Sequence, residues 1–287
     1  MLEIFQYWQV NLVLAVILFV VLYQFYRLLA KESNNSANIP VIVGFIGSFI
    51  FILLIPFFGF KFPTGWYIWV LLLLSTVLYV GNDLLKFIGF KNLDVSVVSI
   101  FAQLAKVFMI ILGVLIFHEQ LTLMDIIGIS LIMFGSGLVS FKKNKFKINK
   151  YIWAIIGASL LFALAMTIDV GISAKFNLAF YFFVLYFVPS ILIIISKRIK
   201  LIELRREFFR TKNSPKYFIW AGMCSSIGML LYLLALRQGQ VSIVAPLSSV
   251  TVLLNVLAGY IFLKERDDLT KRVIASILVI VGVFLLV

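Results

Sequence analysis

Residues 95–119 read VSVVSIFAQLAKVFMIILGVLIFHE, and residues 241–265 read VSIVAPLSSVTVLLNVLAGYIFLKE. At a constant offset of 146 the two stretches share Val95 with Val241, Ser96 with Ser242, Val98 with Val244, Gly113 with Gly259 and Glu119 with Glu265. The register extends upstream, where Leu84 and Leu85 fall over Leu230 and Leu231, and Lys91 falls over Arg237. A small polar start, an apolar run, one glycine and a closing glutamate in the same order indicate an internal duplication. Tyr7 likewise aligns with Tyr151, and Ala30-Lys31 with Ala174-Lys175, at an offset of 144.

The chain has 287 residues, 63% hydrophobic and 13% charged, with a mean hydropathy of +1.12. Soluble domains carry about 45–50% apolar residues and about 25% charge, so a soluble globule is excluded. Runs of about 20 apolar residues match a hydrocarbon core about 30 Å thick, and no ten-residue alternation marks an outer-membrane barrel. The expected fold is therefore all-α and integral to the membrane. Ten transmembrane helices are expected near 7–29, 39–59, 65–89, 94–117, 122–141, 151–173, 177–196, 217–236, 241–263 and 270–287. They group as two five-helix repeats, 1–141 and 151–287, joined by the basic linker 142–150, KKNKFKINK. Because five is odd, the second repeat enters the membrane from the opposite side. That is the inverted-repeat geometry with which many secondary transporters expose a midplane site alternately to either face.

Charge gives the sidedness. The net charge of +13 resides in short loops, which points to a membrane surface and not to nucleic acid. Twenty-one basic residues fall on one side of the expected topology, whereas Lys61, Lys175 and Arg237 fall on the other. The positive-inside rule assigns the crowded side to the cytoplasm, so both termini are expected on the outer side of a cell membrane. Residues 197–216 form the longest polar stretch, expected as a surface helix. The N-terminus carries Glu3 and no basic leader, which reads as a retained span. The single cysteine, Cys224, excludes an intrachain disulfide.

One basic residue lies at the middle of a span. Lys106 sits about midway along residues 94–117, and a charge at bilayer depth costs at least about 2.5–3.5 kcal/mol. Helical spacing places Ser96, Ser99, Gln103 and Lys106 on one face. The preceding span carries a second polar stripe of Thr76, Tyr79, Asp83 and Lys86, so the two stripes are expected to line one water-accessible cavity. Lys106 is expected to hold an anionic group of a substrate, or to pair reversibly with Asp83; a structural ion pair between the two is the blander alternative. In the second repeat the position of Lys106 is Val252, and the polar face becomes Ser248, Thr251 and Asn255, with Tyr232 and Ser225 on the neighbouring span. Asp169, read near the end of its span, is either a coupling carboxylate like Asp83 or a solvated acid. Glu119 and Glu265 read as structural caps, and Trp66, Trp69, Trp153 and Trp220 as interfacial anchors.

VSIVAPLSSVTVLLNVLAGYIFLKER (Val241–Arg266), with LLYLLALRQG (Leu230–Gly239) before it and an apolar closing span after it, resembles the drug/metabolite transporter superfamily in its EamA-like branch. The likeness covers the whole chain in architecture. It is specific over about the last 60 residues, and the first repeat has Ile100 where the second has Pro246. The resemblance implies a carrier working by alternating access, with no cofactor. A small polar metabolite with an anionic group is the expected cargo, with a coupling proton or counter-substrate. The bilayer is the surrounding partner, and the state is a monomer or homodimer. A multidrug, cationic or amino-acid exporter and a flippase for a lipid-linked head group are the alternatives on the same fold. A membrane enzyme is disfavoured: His118 is the only histidine, and no His/Cys metal set, phosphate loop or carboxylate pair stands out. A scaffold without transport would tolerate loss of Lys106.

Overall fold

The computed structural model describes residues 7–33, 37–59, 61–93, 101–140, 150–254 and 269–286, all helix and connecting turn with no strand among them. In chain order the helices are α1 (Trp8–Glu32), α2 (Asn38–Leu54), α3 (Trp66–Asn92), α4 (Leu104–Phe117), α5 (Leu123–Ser140), α6 (Lys150–Ile172), α7 (Leu178–Lys197), α8 (Leu201–Phe208), α9 (Ser214–Gln238), α10 (Val241–Leu247) and α11 (Leu269–Leu286). Six of them, α1, α2, α3, α6, α7 and α9, are long and apolar enough to cross a membrane, and shorter apolar helices occupy the α4, α5, α10 and α11 positions. The expected linker at 142–150 lies outside the described residues except for Lys150, the first residue of α6.

Local chemistry sets the helix ends. Asn177 accepts the Phe180 N–H at 2.9 Å and starts α7, and Thr122 with Asp125 exchange backbone bonds of 2.8 and 3.2 Å at the start of α5. His118 takes a left-handed conformation (φ 54°) and stops α4. The surface of the bundle carries Val13, Ile17, Phe49, Leu73, Leu115, Phe134 and Phe284, all exposed. An apolar exterior is what lipid contact requires. Trp66 and Trp153, 76% and 63% exposed, sit at helix starts as interfacial anchors would.

The two halves interlock. α1 packs along α9, α3 along α6, α2 against α7, α4 against α10 and α5 against α11. Each helix thus packs chiefly on the opposite repeat, α4 also along α6, and these five pairings are unchanged when the halves are exchanged. The first helices of the two repeats run in opposite directions. The end of α1 meets the loop after α8, where Arg210 Nη2 donates to the Leu29 carbonyl at 3.4 Å. The end of α6 instead turns through Ser173–Lys175 to meet the end of α2. This is an inverted repeat. α5 and α11 cross at contact distance, since a Cβ on Gly128 would lie 2.9 Å from the Gly282 carbonyl oxygen. Small residues of this kind let membrane helices approach closely.

The span expected over 65–89 is present, its helix running on to Asn92. Two expectations need correction. The spans expected as continuous over 94–117 and 241–263 are interrupted: α4 begins only after a turn at Gln103, and α10 ends at Leu247 before a turn at Ser248–Ser249. Pro246 supplies no N–H and strains the ladder behind it. At Gln103 no proline is present, and no local cause of the break is visible in the sequence. The surface helix expected within 197–216 is α8, whose Glu207 pairs with Arg210 at 3.0 Å.

Candidate functional site

The interruptions of α4 and α10 meet. Ser249 Oγ donates to Gln103 Oε1 at 3.2 Å, and these two residues occupy equivalent positions in the repeats, 146 apart. Each break is closed by the same tight bond, from Lys106 N–H to the Gln103 carbonyl and from Val252 N–H to the Ser249 carbonyl, both 2.9 Å. Equivalent residues touching each other define the pseudo-twofold axis. Irregular backbone at membrane depth is found where it is buried in protein or lines a cavity.

Lys106 stands one turn beyond its break. It is half-buried, with its ammonium 5.4 Å from the centroid of the Tyr232 ring, a cation–π distance. Tyr232 is 2% exposed, and its hydroxyl lies 3.9 Å from Met109 Sδ. No carboxylate of the described residues lies within ion-pair distance of Lys106. The pair expected with Asp83 is therefore not formed here. Asp83 Oδ1 accepts from Asn82 Nδ2 at 2.9 Å, and Lys86, three residues further along α3, lies within electrostatic range of both Asp83 and Lys106. The Lys86 ammonium itself sits 5.6 Å from the Phe162 ring. Tyr26 and Tyr186 also lie within electrostatic range of Asp83, and the Tyr186 hydroxyl donates to the Ser225 carbonyl at 2.9 Å.

Asp169 is placed differently from the expectation of a solvated acid. It is 1% exposed and held by three hydroxyls. Its Oδ1 accepts from Ser75 Oγ and from Tyr181 Oη at 2.5 Å each, and its Oδ2 accepts from Tyr79 Oη at 2.6 Å. Ser75 and Tyr79 are four apart on α3 and so share a face, whereas Asp169 and Tyr181 belong to α6 and α7. The cluster ties the first repeat to the second. Ser75 and Tyr181 were not singled out from the sequence. The spacing of Ser75 from Tyr79 was a usable signal, but nothing in the sequence marks Tyr181.

The remaining expected residues scatter. Thr76 bonds back to the Leu72 carbonyl within its own helix at 2.8 Å, and Ser248 likewise to the Ala245 carbonyl at 2.6 Å. Thr251 is buried beside the break. Asn255, Ser96, Ser99 and Glu265 lie outside the described residues. Among the described residues no group of three His, Cys, Asp or Glu side chains gathers as a metal site would require.

Glu119 explains the shared residues of the repeat. Its carboxylate accepts the backbone N–H groups of Val241 and Ser242 at 2.6 and 2.8 Å, and the Ser242 hydroxyl at 2.5 Å. A Cβ at Gly113 would come within 2.5 Å of Glu119 Oε2, so the glycine leaves room for the carboxylate. Valine, serine, glycine and glutamate, the residue types that recur at the offset of 146, build one clasp between the halves. It supports the reading of Glu119 as a structural cap.

The profile of the EamA-like transporter family matches this chain twice, over residues 7–141 and again over 149–287. An uncharacterised protein of Methanocaldococcus jannaschii is 34% identical over 101 residues, covering 35% of this chain and 73% of that protein. A crystal structure of another protein superposes with a TM-score of 0.74 over 95% of both chains, at 12% identity. At that identity the likeness is one of fold.

Proposed function

Since the chain belongs to the EamA-like transporter family, and so to the membrane transporters of the drug/metabolite type, we propose that it is a secondary carrier moving a small polar metabolite with an anionic group. The observation that carries this is Lys106: a cation at membrane depth, beside a helix break on the pseudo-twofold axis, with an aromatic face and, among the described residues, no carboxylate against it. A charge left without a counter-ion in such a place is costly, and an anionic cargo supplies the missing partner. Tyr232, Gln103, Tyr79, Thr251, Ser248, Asn255 and Asp83 are the polar groups proposed to orient it. Alternating access would separate the halves at contacts such as Gln103–Ser249.

Asp169 is the proposed coupling carboxylate. An ionised carboxylate is acceptor-only, so it can take all three hydroxyl bonds. A protonated one carries a hydrogen of its own and accepts more weakly on that oxygen, which loosens its hold on Ser75, Tyr79 or Tyr181. Because these groups belong to both halves, a proton or a counter-substrate that displaces it would be felt across the interface. The basic loops favour a cell membrane with both termini outside.

The test is uptake by proteoliposomes against anionic, neutral and cationic metabolites. Competition by one anionic class supports the proposal. Competition by cations or apolar drugs alone would replace it with the multidrug reading.

A further inference from the structure

Three basic residues occupy the end of the bundle away from the crowded loops, and the fold gathers them. Lys61 follows the last turn of α2, and Arg237 stands one residue before the end of α9; both line an open cavity of about 470 Å³ with Phe58, Gly59, Ser173 and Asn177. Lys175 closes the adjoining turn and is already engaged, its ammonium 5.7 Å from the Tyr67 ring centroid. Among the described residues no Asp or Glu lines the cavity.

Two features mark it as more than a surface dent. The wall is held in place: Asn177 Nδ2 donates to the carbonyls of Ile55, Phe58 and Gly59 at 3.1, 2.6 and 3.2 Å, and the Asn177 N–H to the Lys61 carbonyl at 2.5 Å. The donors are also spare. Neither Lys61 nor the half-buried Arg237 makes an ion pair or side-chain hydrogen bond among the described residues. The fully buried Ser173 has an Oγ with no partner. A guanidinium offers five N–H donors in a fork suited to carboxylate or phosphate, and a lysine adds a point charge.

We propose that this cavity is a docking site for the carboxylate or phosphate group of a small metabolite, separate from Lys106 and loaded from the opposite end to the basic loops. As a station on a transport path it rests on the anionic-cargo reading; as a binding site it stands alone.

The experiment is thermal unfolding of the full-length protein in detergent with citrate or inorganic phosphate, against sodium chloride at equal ionic strength. One of the two anions should raise the melting point beyond the chloride control, in proportion to occupancy. Lys61→Gln, on an exposed loop that tolerates it, and Arg237→Gln should each weaken the apparent affinity about tenfold, the loss expected for one charge-assisted contact. Lys212→Gln, an exposed residue on the loop after α8 at the opposite end of the bundle, should keep the shift. No shift beyond chloride, an unchanged affinity in Lys61→Gln, or a shift lost equally in Lys212→Gln would each overturn the site. A shift that depends on Lys61, in vesicles that take up no anionic metabolite, keeps the docking site and removes the transport reading.

Discussion

The two repeats share a scaffold and differ in chemistry. Both interrupt their fourth helix at the same place, with the same 2.9 Å bond closing the turn, and Gln103 meets its counterpart Ser249. Yet the residue one turn on is Lys106 in the first repeat and Val252 in the second. Asp169 belongs to the second repeat alone; the residue 144 earlier is Phe25. What recurs is what the fold needs, and what does not recur is free to be chemistry. The asymmetry therefore locates function better than the repeat itself does.

This comparison can be broken at either end. The largest effect is expected at Asp169. Replacing it by alanine leaves Ser75, Tyr79 and Tyr181 without their acceptor, at about 1–3 kcal/mol for each buried group left unpaired, so Asp169→Ala should lower stability by about 4 kcal/mol in a denaturation series. Asp169→Asn keeps one acceptor oxygen and should cost about half as much while abolishing any dependence of uptake on a proton gradient. Retained gradient dependence in that variant would remove Asp169 as the coupling group.

Next is the clasp. Glu119→Ala uncaps Val241 and Ser242 and should cost about 1–2 kcal/mol, read as a lower melting temperature with the substrate profile unchanged. The repeat predicts a similar cost for Glu265→Ala, and very unequal costs would mean the shared residues do different jobs in the two halves. Smallest is Ser249→Ala, which loses one 3.2 Å hydrogen bond and should cost about 0.5–1 kcal/mol. A much larger loss would make the axis contact a determinant of the fold and not a mark of its symmetry.

The fold was legible because membrane helices declare themselves by length and hydropathy, and because Val95–Glu119 repeats as Val241–Glu265. The inversion followed from the odd number of spans expected in each half. The helix break at Gln103 was not legible, because no proline or glycine stands there; it shows only against the partner helix. Within the site, Lys106 was visible as a lone charge in an apolar run. Its partners were not. Sequence spacing put Asp83 within reach of the lysine stem, but the rotation of α3 about its axis decides which groups meet. Asp83 turns to Asn82, and Tyr79 turns to Asp169. Asp169 looked terminal by its place in its span, and its burial comes from α3 and α7 packing over it.

The most direct test of the claim that the unrepeated charge binds the cargo is initial-rate uptake at limiting substrate by Lys106→Met and Val252→Met side by side. The account predicts about a hundredfold loss for Lys106→Met, equivalent to about 2.7 kcal/mol of binding, with both variants folded and Val252→Met near wild type. Equal rates for Lys106→Met and wild type would contradict it.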